Sequence, residues 1–492
     1  MLISCGVADK PAAGTETNAE TAGTGADGNV NSDGTNGDIM NSDGKDGSAN
    51  VGGTNGSSND TGTSDGKTVA TGENDGANES GEGLPETLKD VTDTIPEHPL
   101  EWVEYGNSDG TYTKGSDIIE EEKKMDSLME SDIEDLPIVS AEDVAAYQGR
   151  SEGLYYYRHL NDTEKYLYGE IYGILDRMLD AVKVSTLDAD LLGRVFLYVL
   201  YDHPEIFYVS GYNYIRYTVG DELKAIVLSG KYIFTPEERV EYTKAIDNYA
   251  ARFVSSYQSV YPEGGDDYRK VKFAYEYVIS TTEYVKDSPN NQNILSVMLN
   301  GASVCQGYAK TTQYLLKLLG IEATMVVGMT SKDSYHAWNL VKADGEYYYV
   351  DSTWGDASYS MGTDAGLSAA DLEALNQISY DYLLVNDNMI KTTHMPTDIN
   401  LMPVCSSLND NYYVREKLWF SSVDDAQIKA AFDRAYAEGR KYVTLKMSEA
   451  SVYVNMKNYL LVDQNLFNYL QGDVTSVTYA ESPDRLYMIF WL

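Results

Sequence analysis

From Thr163 onward, apolar and polar positions follow two periods, and the period changes at turn residues. Between Thr163 and Val182, Tyr166, Leu167, Ile171, Ile174, Leu175, Met178 and Leu179 recur at helical spacing. A second helix is predicted over Ala189–Tyr201, stopped by the proline in Asp202-His203-Pro204-Glu205. Strand-like runs follow at Ile206–Ser210, Tyr212–Tyr217 and Leu223–Ile233, then a helix from Pro236 to about Tyr261. After a turn signal at Asn300-Gly301, Tyr308, Thr312, Leu315, Leu316 and Leu319 mark one helix face, and Gly320 stops it. Tyr335–Ala343 and Glu346–Thr353 are rich in aromatic and β-branched residues, and Asp344-Gly345 between them predicts a two-residue hairpin. From about Asp424 the chain reads as helix (Asp424–Glu438), strand (Tyr442–Met447), helix (Val452–Leu470) and two strands (Val474–Tyr479, Leu486–Trp491). Helices and hairpins in this mixture predict an α+β fold.

The start of the chain carries no such pattern. Residues 6–83 are almost all Gly, Asn, Asp, Ser, Thr and Ala, which bury too little apolar surface to offset the entropy of ordering. They predict a disordered, acidic tether. Residues 84–140 are transitional, acidic with short apolar pieces such as Leu136-Pro137-Ile138-Val139.

The chemistry lies where the helical and strand patterns meet. Cys305 precedes the Tyr308–Leu319 helix face, which puts it in the first turn, at the positive end of the helix dipole. A thiol there is drawn toward its thiolate form, and its backbone N–H is a natural oxyanion donor. Gly307 is read as leaving room for a substrate at this end. On the hairpin, an Asp344-Gly345 loop pairs Ala343 with Glu346, so Trp338 falls opposite Asp351 and His336 opposite Thr353. His336, Trp338 and Asp351 then share one face, with His336 and Asp351 diagonal neighbours at roughly 7–8 Å between Cα atoms. The assembled reading is a nucleophilic Cys305, a base His336 and an orienting Asp351. Each residue alone reads more simply as core. Three Cys and five His in the whole chain make the ordered set informative.

Around these residues, Val304-Cys305-Gln306-Gly307-Tyr308-Ala309, His336-Ala337-Trp338-Asn339 and Val350-Asp351-Ser352-Thr353-Trp354 resemble the nucleophile, histidine and aspartate motifs of the transglutaminase-like superfamily, in particular its bacterial secreted branch. The match runs from about Tyr268 to Trp354. The resemblance implies a papain-like core, with the Cys on a helix against an antiparallel sheet, and an acyl-thioester step. Members cross-link proteins, deamidate them or cleave them, and some are inactive. The family often supplies a second oxyanion donor upstream of the Cys. Gln292 is the candidate, with a solvated loop amide as the alternative; Gln306 is a weaker one. Tyr308, Trp338 and Trp354 are candidate walls of an acyl pocket, at least one of the Trp residues reading equally as core. The domain reading is 1–83 lipobox-like start and linker, 84–140 transitional, 141–262 an N-terminal α+β unit, 263–405 the catalytic core and 406–492 a C-terminal α+β unit. The silent alternative is a binding module of the cell surface or wall on the same fold.

Composition narrows the partners. The formal net charge is −40, and residues 1–100 hold eighteen acids against four Lys. This argues against nucleic acid and against docking on anionic membranes. Protein or peptide substrates, with cell-wall components as further candidates, remain. Leu2-Ile3-Ser4-Cys5 has the shape of a lipoprotein cleavage box, with Cys5 the lipidation candidate and the only expected membrane link. A signal peptide needs a longer apolar run before the cleavage site, so the true start is expected upstream. Asn29, Asn31, Asp33 and Gly34 match half an EF-hand loop, but Met40 stands where the bidentate Glu belongs, so no metal site is expected. No cofactor is expected. Cys405 reads as buried and structural. Asp202, His203 and Glu205 read as a cap and turn, and His394 as part of an irregular stretch without chemistry. The 42 Tyr, against nine Phe, read as strand content before a sugar- or peptide-binding surface.

Overall fold

Side-chain caps set where most of the long helices begin. The structure, a computed structural model, describes residues 4–9, 119–124, 133–331, 334–356 and 378–492. The tether from residue 10 on, the EF-hand-like stretch and much of 84–140 lie outside the described residues. Two strands, β1 (Ser4–Asp9) and β2 (Ile119–Lys124), precede the helix α1 (Ala141–Ser151). After the short α2 (Tyr155–Arg158), Asn161 and Glu164 form a reciprocal capping box that starts α3 (Asp162–Asp176). Strand β3 (Val182–Val184) leads to α4 (Ala189–Asp202), whose Asp188 cap accepts from the Asp190 and Leu191 amides. The strands β4 (Val209–Val219) and β5 (Glu222–Tyr232) form a long hairpin in a sheet ordered β2-β4-β5-β3. The run Ile206–Ser210 enters this sheet only at Val209. Helix α5 (Pro236–Val260) opens with Thr235 as cap, Pro236 in the first turn and Glu238 closing the box.

Next comes the core that holds the candidate residues. Helix α6 (Asp267–Ser280) is followed by β6 (Glu283–Tyr284), α7 (Ile294–Met298) and β7 (Ala302–Ser303), with β6 and β7 parallel. Helix α8 (Cys305–Leu318) lies against an antiparallel sheet of β8 (Glu322–Thr330), β9 (Tyr335–Ala343), β10 (Glu346–Val350) and β11 (His394–Pro396), ordered β10-β9-β8-β11. Ala343 pairs with Glu346, as Asp344-Gly345 predicts. Both loop residues have positive φ, 48° and 88°, which a tight hairpin of this hand requires. The second arm ends at Val350 rather than Thr353, because Asp351 caps α9 (Ser352–Gly355) through the Thr353 and Trp354 amides. The Asn339 side chain in β9 donates to the Ala309 carbonyl at 2.9 Å and locks α8 to the sheet.

The C-terminal segment forms β12 (Trp419–Phe420), α10 (Asp425–Ala437), β13 (Tyr442–Met447), α11 (Ala450–Lys457), β14 (Ser476–Ser482) and β15 (Tyr487–Trp491). Its sheet is ordered β1-β14-β15-β13-β12. The helix predicted over Val452–Leu470 stops at Lys457, where a π turn and then a 3-10 turn take over. Core residues from all these parts merge into one hydrophobic cluster. Tyrosine is used differently from the strand reading. Tyr156, Tyr168, Tyr249, Tyr275, Tyr277 and Tyr308 are fully buried on helices, where large rings fill space between layers.

Candidate active site

Helix α8 begins at Cys305, with Val304 as N-cap and no side chain capping that end. Amides of a first helical turn lack an intrahelical acceptor, so this end offers N–H donors and a positive potential. The thiol is buried at 4% exposure and hydrogen-bonds to the His336 ring. His336, on β9, is also buried, and its Nε2 lies 2.8 Å from Asp351 Oδ2. That bond occupies Nε2 and leaves Nδ1 as the nitrogen for the thiol. Burial disfavours the charged ring, but Asp351 and Cys305 outweigh it and lift His336 to about 10. Asp351 feels the reverse. Burial alone would raise its carboxyl, yet the His336 and His394 rings hold it well below the usual carboxylate range. The pair therefore favours an imidazolium on an ionised carboxylate, poised beside the thiol.

The structure adds a residue that the sequence reading passed over. His394 lies on β11, paired with Thr330 of β8, and its Nε2 lies 3.0 Å from the same Asp351 Oδ2. Its stretch is a sheet edge strand, not irregular backbone. Burial lowers its basicity, only partly offset by Asp351, so the ring is held neutral. A neutral ring that donates from Nε2 accepts at Nδ1, and the Thr393 hydroxyl lies 2.7 Å from that atom. Asp351 is thus fixed four ways: Oδ2 takes two rings, and Oδ1 takes the Thr353 and Trp354 amides at 2.9 and 3.1 Å. No local pattern announces His394; a His in a three-residue strand after Thr392-Thr393 carries no period.

Other candidates divide. Trp338 is 1% exposed and lies beneath the site, stacked on His336 at 6.0 Å between centroids and edge-on to His394 at 4.9 Å. It supports the rings rather than lining a pocket. Trp354 is partly exposed and packs on His336, His394 and Tyr382 at 5.8, 4.7 and 5.3 Å. Tyr308 is not a pocket wall: it is fully buried, with its hydroxyl 2.8 Å from Asp356 Oδ2 and 3.1 Å from the Thr282 carbonyl. Gly307 does not leave room for substrate either. A Cβ there would lie 2.0 Å from Ser303 Oγ and 2.7 Å from Ser296 Oγ, so its missing side chain lets α8 approach α7 and β7. Gln292 and Gln306 are both half-buried and line one cavity of about 910 Å³ beside α8. Cys405 is buried, with burial and nearby Asp387 pushing its thiol up to about 12. Asp202 caps α2, accepting from the Tyr156 and Tyr157 amides at 3.0 and 2.9 Å, and His203 pairs with Glu205 at 2.8 Å. This is the structural role expected of that cluster. Cys5 lies in β1, opposite Ala480 of β14.

His336, Asp351 and His394 also bring one ligand-type atom each within 4.8 Å of one another, all buried. Both rings spend Nε2 on Asp351, so the arrangement as it stands is a hydrogen-bonded one.

With this geometry in view, residues 255–352 match the family model described as the transglutaminase-like superfamily core. Among solved structures, one described as "a TGase" is 16% identical, with 35% of this chain and 50% of that one covered and a TM-score of 0.23. One described as a "Putative Cysteine Protease" from Cytophaga hutchinsonii is 22% identical, covering 18% and 31%, with a TM-score of 0.16. One described as a "putative protease" from Parabacteroides distasonis is 9% identical, covering 28% and 40%, with a TM-score of 0.17. The chain thus spans half or less of the length of these structures. No curated protein matches it.

Proposed function

The segment 255–352 being a transglutaminase-like core, we propose that this chain is a cell-surface thiol acyl-transfer enzyme acting on amides of proteins or peptides. The observation that carries the reading is the bond from His336 Nε2 to Asp351 Oδ2 at 2.8 Å, with the other nitrogen of the ring left for a thiol at a helix N-terminus. In the proposed reaction the Cys305 sulfur attacks the amide carbonyl, and the C–N bond breaks as His336 passes its proton to the leaving amine. A thioester and a released amine result. Water, deprotonated by His336, then attacks the thioester and releases a carboxylic acid; a primary amine in place of water yields a new amide. The first-turn amides of α8 would take the oxyanion charge, with Gln292 as the proposed side-chain donor. Hydrolysis is the favoured outcome, because among the described residues no site for an acceptor lysine stands out. Attachment through a lipid on Cys5 would fit the surface location and calls for a second acyl chain to hold firmly.

A peptidyl chloromethyl ketone tests the assignment. Wild type and Cys405→Ala are expected to be labelled equally, and Cys305→Ala not at all, with peptide mapping locating the adduct. Labelling of both single variants to the same extent would contradict it. Run with a chelator, the labelling should not change; loss of labelling would move the assignment to a metal centre built on His336, Asp351 and His394.

A further inference from the structure

The cavity beside α8 holds a charge with no counterpart. Lys310 lies one turn beyond Gln306 on the same helix face and is 6% exposed, yet its side chain lines the cavity. Among the described residues, no hydrogen bond or ion pair engages its ammonium, and burial alone lowers its basicity, to about 8. An ammonium removed from water without an acceptor is costly. The acids on the same cavity do not relieve it. Asp398, beyond β11, is engaged by the Tyr198 hydroxyl, and Asp190 is exposed on α4, as is Arg194, which pairs with Glu164 at 2.5 Å. Gln292 and Gln306 add neutral donors to the same wall. A volume of about 910 Å³ is that of a site for a small ligand or a short peptide segment.

We propose that this cavity is a carboxylate-binding subsite in which Lys310 pairs with an anionic group of the same peptide substrate whose amide Cys305 attacks. The inference rests on the acyl-transfer reading for its placement on a substrate. Lys310 follows Cys305 by five residues, a rise of about 7.5 Å along the helix. Five residues also turn the helix by about 140°, so the path from Lys310 to the Cys305 end is longer than this rise and runs past Gln306 and Gln292 on the same cavity, which puts the carboxylate about three or more extended residues from the attacked carbonyl. Either a free α-carboxylate or an acidic side chain supplies it.

Calorimetry on the full chain carrying Cys305→Ala tests this without turnover. The probes are acetyl-Ala-Gln-Ala-Ala with a free α-carboxylate, its C-terminal amide, and two amidated peptides with Glu before or after the Gln. At pH 7 at least one carboxylate peptide is expected to bind about tenfold or more tightly than the neutral amide, as a charge-assisted pair would give. Which one does so separates α-carboxylate from side chain. Adding Lys310→Met should remove the preference. Met keeps the length and discards an uncompensated buried charge, so the variant should fold and melt no lower than its parent. Equal binding of all four peptides, no binding up to millimolar concentration, or a preference that survives Lys310→Met would overturn the proposal. Since binding is read on a chain without the thiol, a failed acyl transfer appears in the labelling experiment and not here.

Discussion

At the residue scale the site turns on one oxygen. Asp351 Oδ2 takes both His336 at 2.8 Å and His394 at 3.0 Å, and the two rings have opposite fates. His336 gains the thiol as a second partner and is lifted, whereas His394 has only a hydroxyl at its far nitrogen and stays neutral. In the proposed reaction His394 is thus a positioning residue: it holds the carboxylate that holds the His336 ring. Its loss should leave Asp351 with one donor fewer, and a hydrogen bond to a charged group is worth about 1.5–3 kcal/mol. His394→Phe is therefore expected to slow Cys305 alkylation at neutral pH by roughly ten- to a hundredfold. The sign of the pH effect follows. With less support, the Asp351 carboxyl protonates more readily, so the acid limb of the rate profile moves to higher pH. His394→Gln, which keeps an N–H donor, should recover much of the rate. A His394→Phe profile that only scales down, with no movement of the acid limb, would contradict the role.

At the scale of elements, what was readable and what was not share a cause. The α8 start and the β9–β10 hairpin carry local signals: a turn before the Cys, a helical stripe after it, and Asp344-Gly345 fixing the register to Ala343–Glu346. Those signals put Cys305 at a helix start and His336 beside Asp351 on one face of the hairpin. Gly307, Tyr308 and His394 depend on what packs from elsewhere in the chain. Gly307 meets Ser303 and Ser296, Tyr308 meets Asp356, and His394 arrives on a strand that begins 43 positions after Asp351. No spacing near these residues encodes such partners. Gly307→Ala makes the point measurable. Its Cβ would overlap Ser303 Oγ, itself 2.6 Å from Ser296 Oγ and 3.0 Å from the Asn291 carbonyl. Overpacking at such a contact costs about 1–3 kcal/mol. A urea unfolding midpoint should fall accordingly; an unchanged midpoint would show that α8 has slack against α7.

At the scale of the whole molecule, buried polar links tie the site's layer to the C-terminal sheet. Asp381 accepts from Tyr413 at 2.9 Å and pairs with Lys446 at 3.1 Å and Arg485 at 3.4 Å. Such long-range pairs leave no trace in a sequence pattern, which is why the flanking units were readable as α+β but not in their attachment. The excess of acid, −40 overall, sets solubility and bears little on the site, whose charges are shielded by burial. The site's own ionisation sets its pH window. His336 is raised from 6.5 to about 10, so its contribution to stability is complete below about pH 6.5 and is lost as the pH rises through about 10. The depressed Asp351 contributes above its ordinary value of 3.8 and loses that contribution as the pH falls below it. Between about pH 5 and 9 the ion pair is therefore intact. The measurement that bears most directly on the central claim is the rate of Cys305 alkylation by iodoacetamide across that range, read by peptide mapping, in wild type and His336→Ala. An activated Cys–His pair predicts a rate at pH 6 that stays within about tenfold of that at pH 8 in wild type. In the variant the rate should collapse at pH 6 and recover only as an ordinary thiol ionises, near pH 8.5. Two superimposable profiles, both rising only above pH 8, would show that His336 does not activate the thiol.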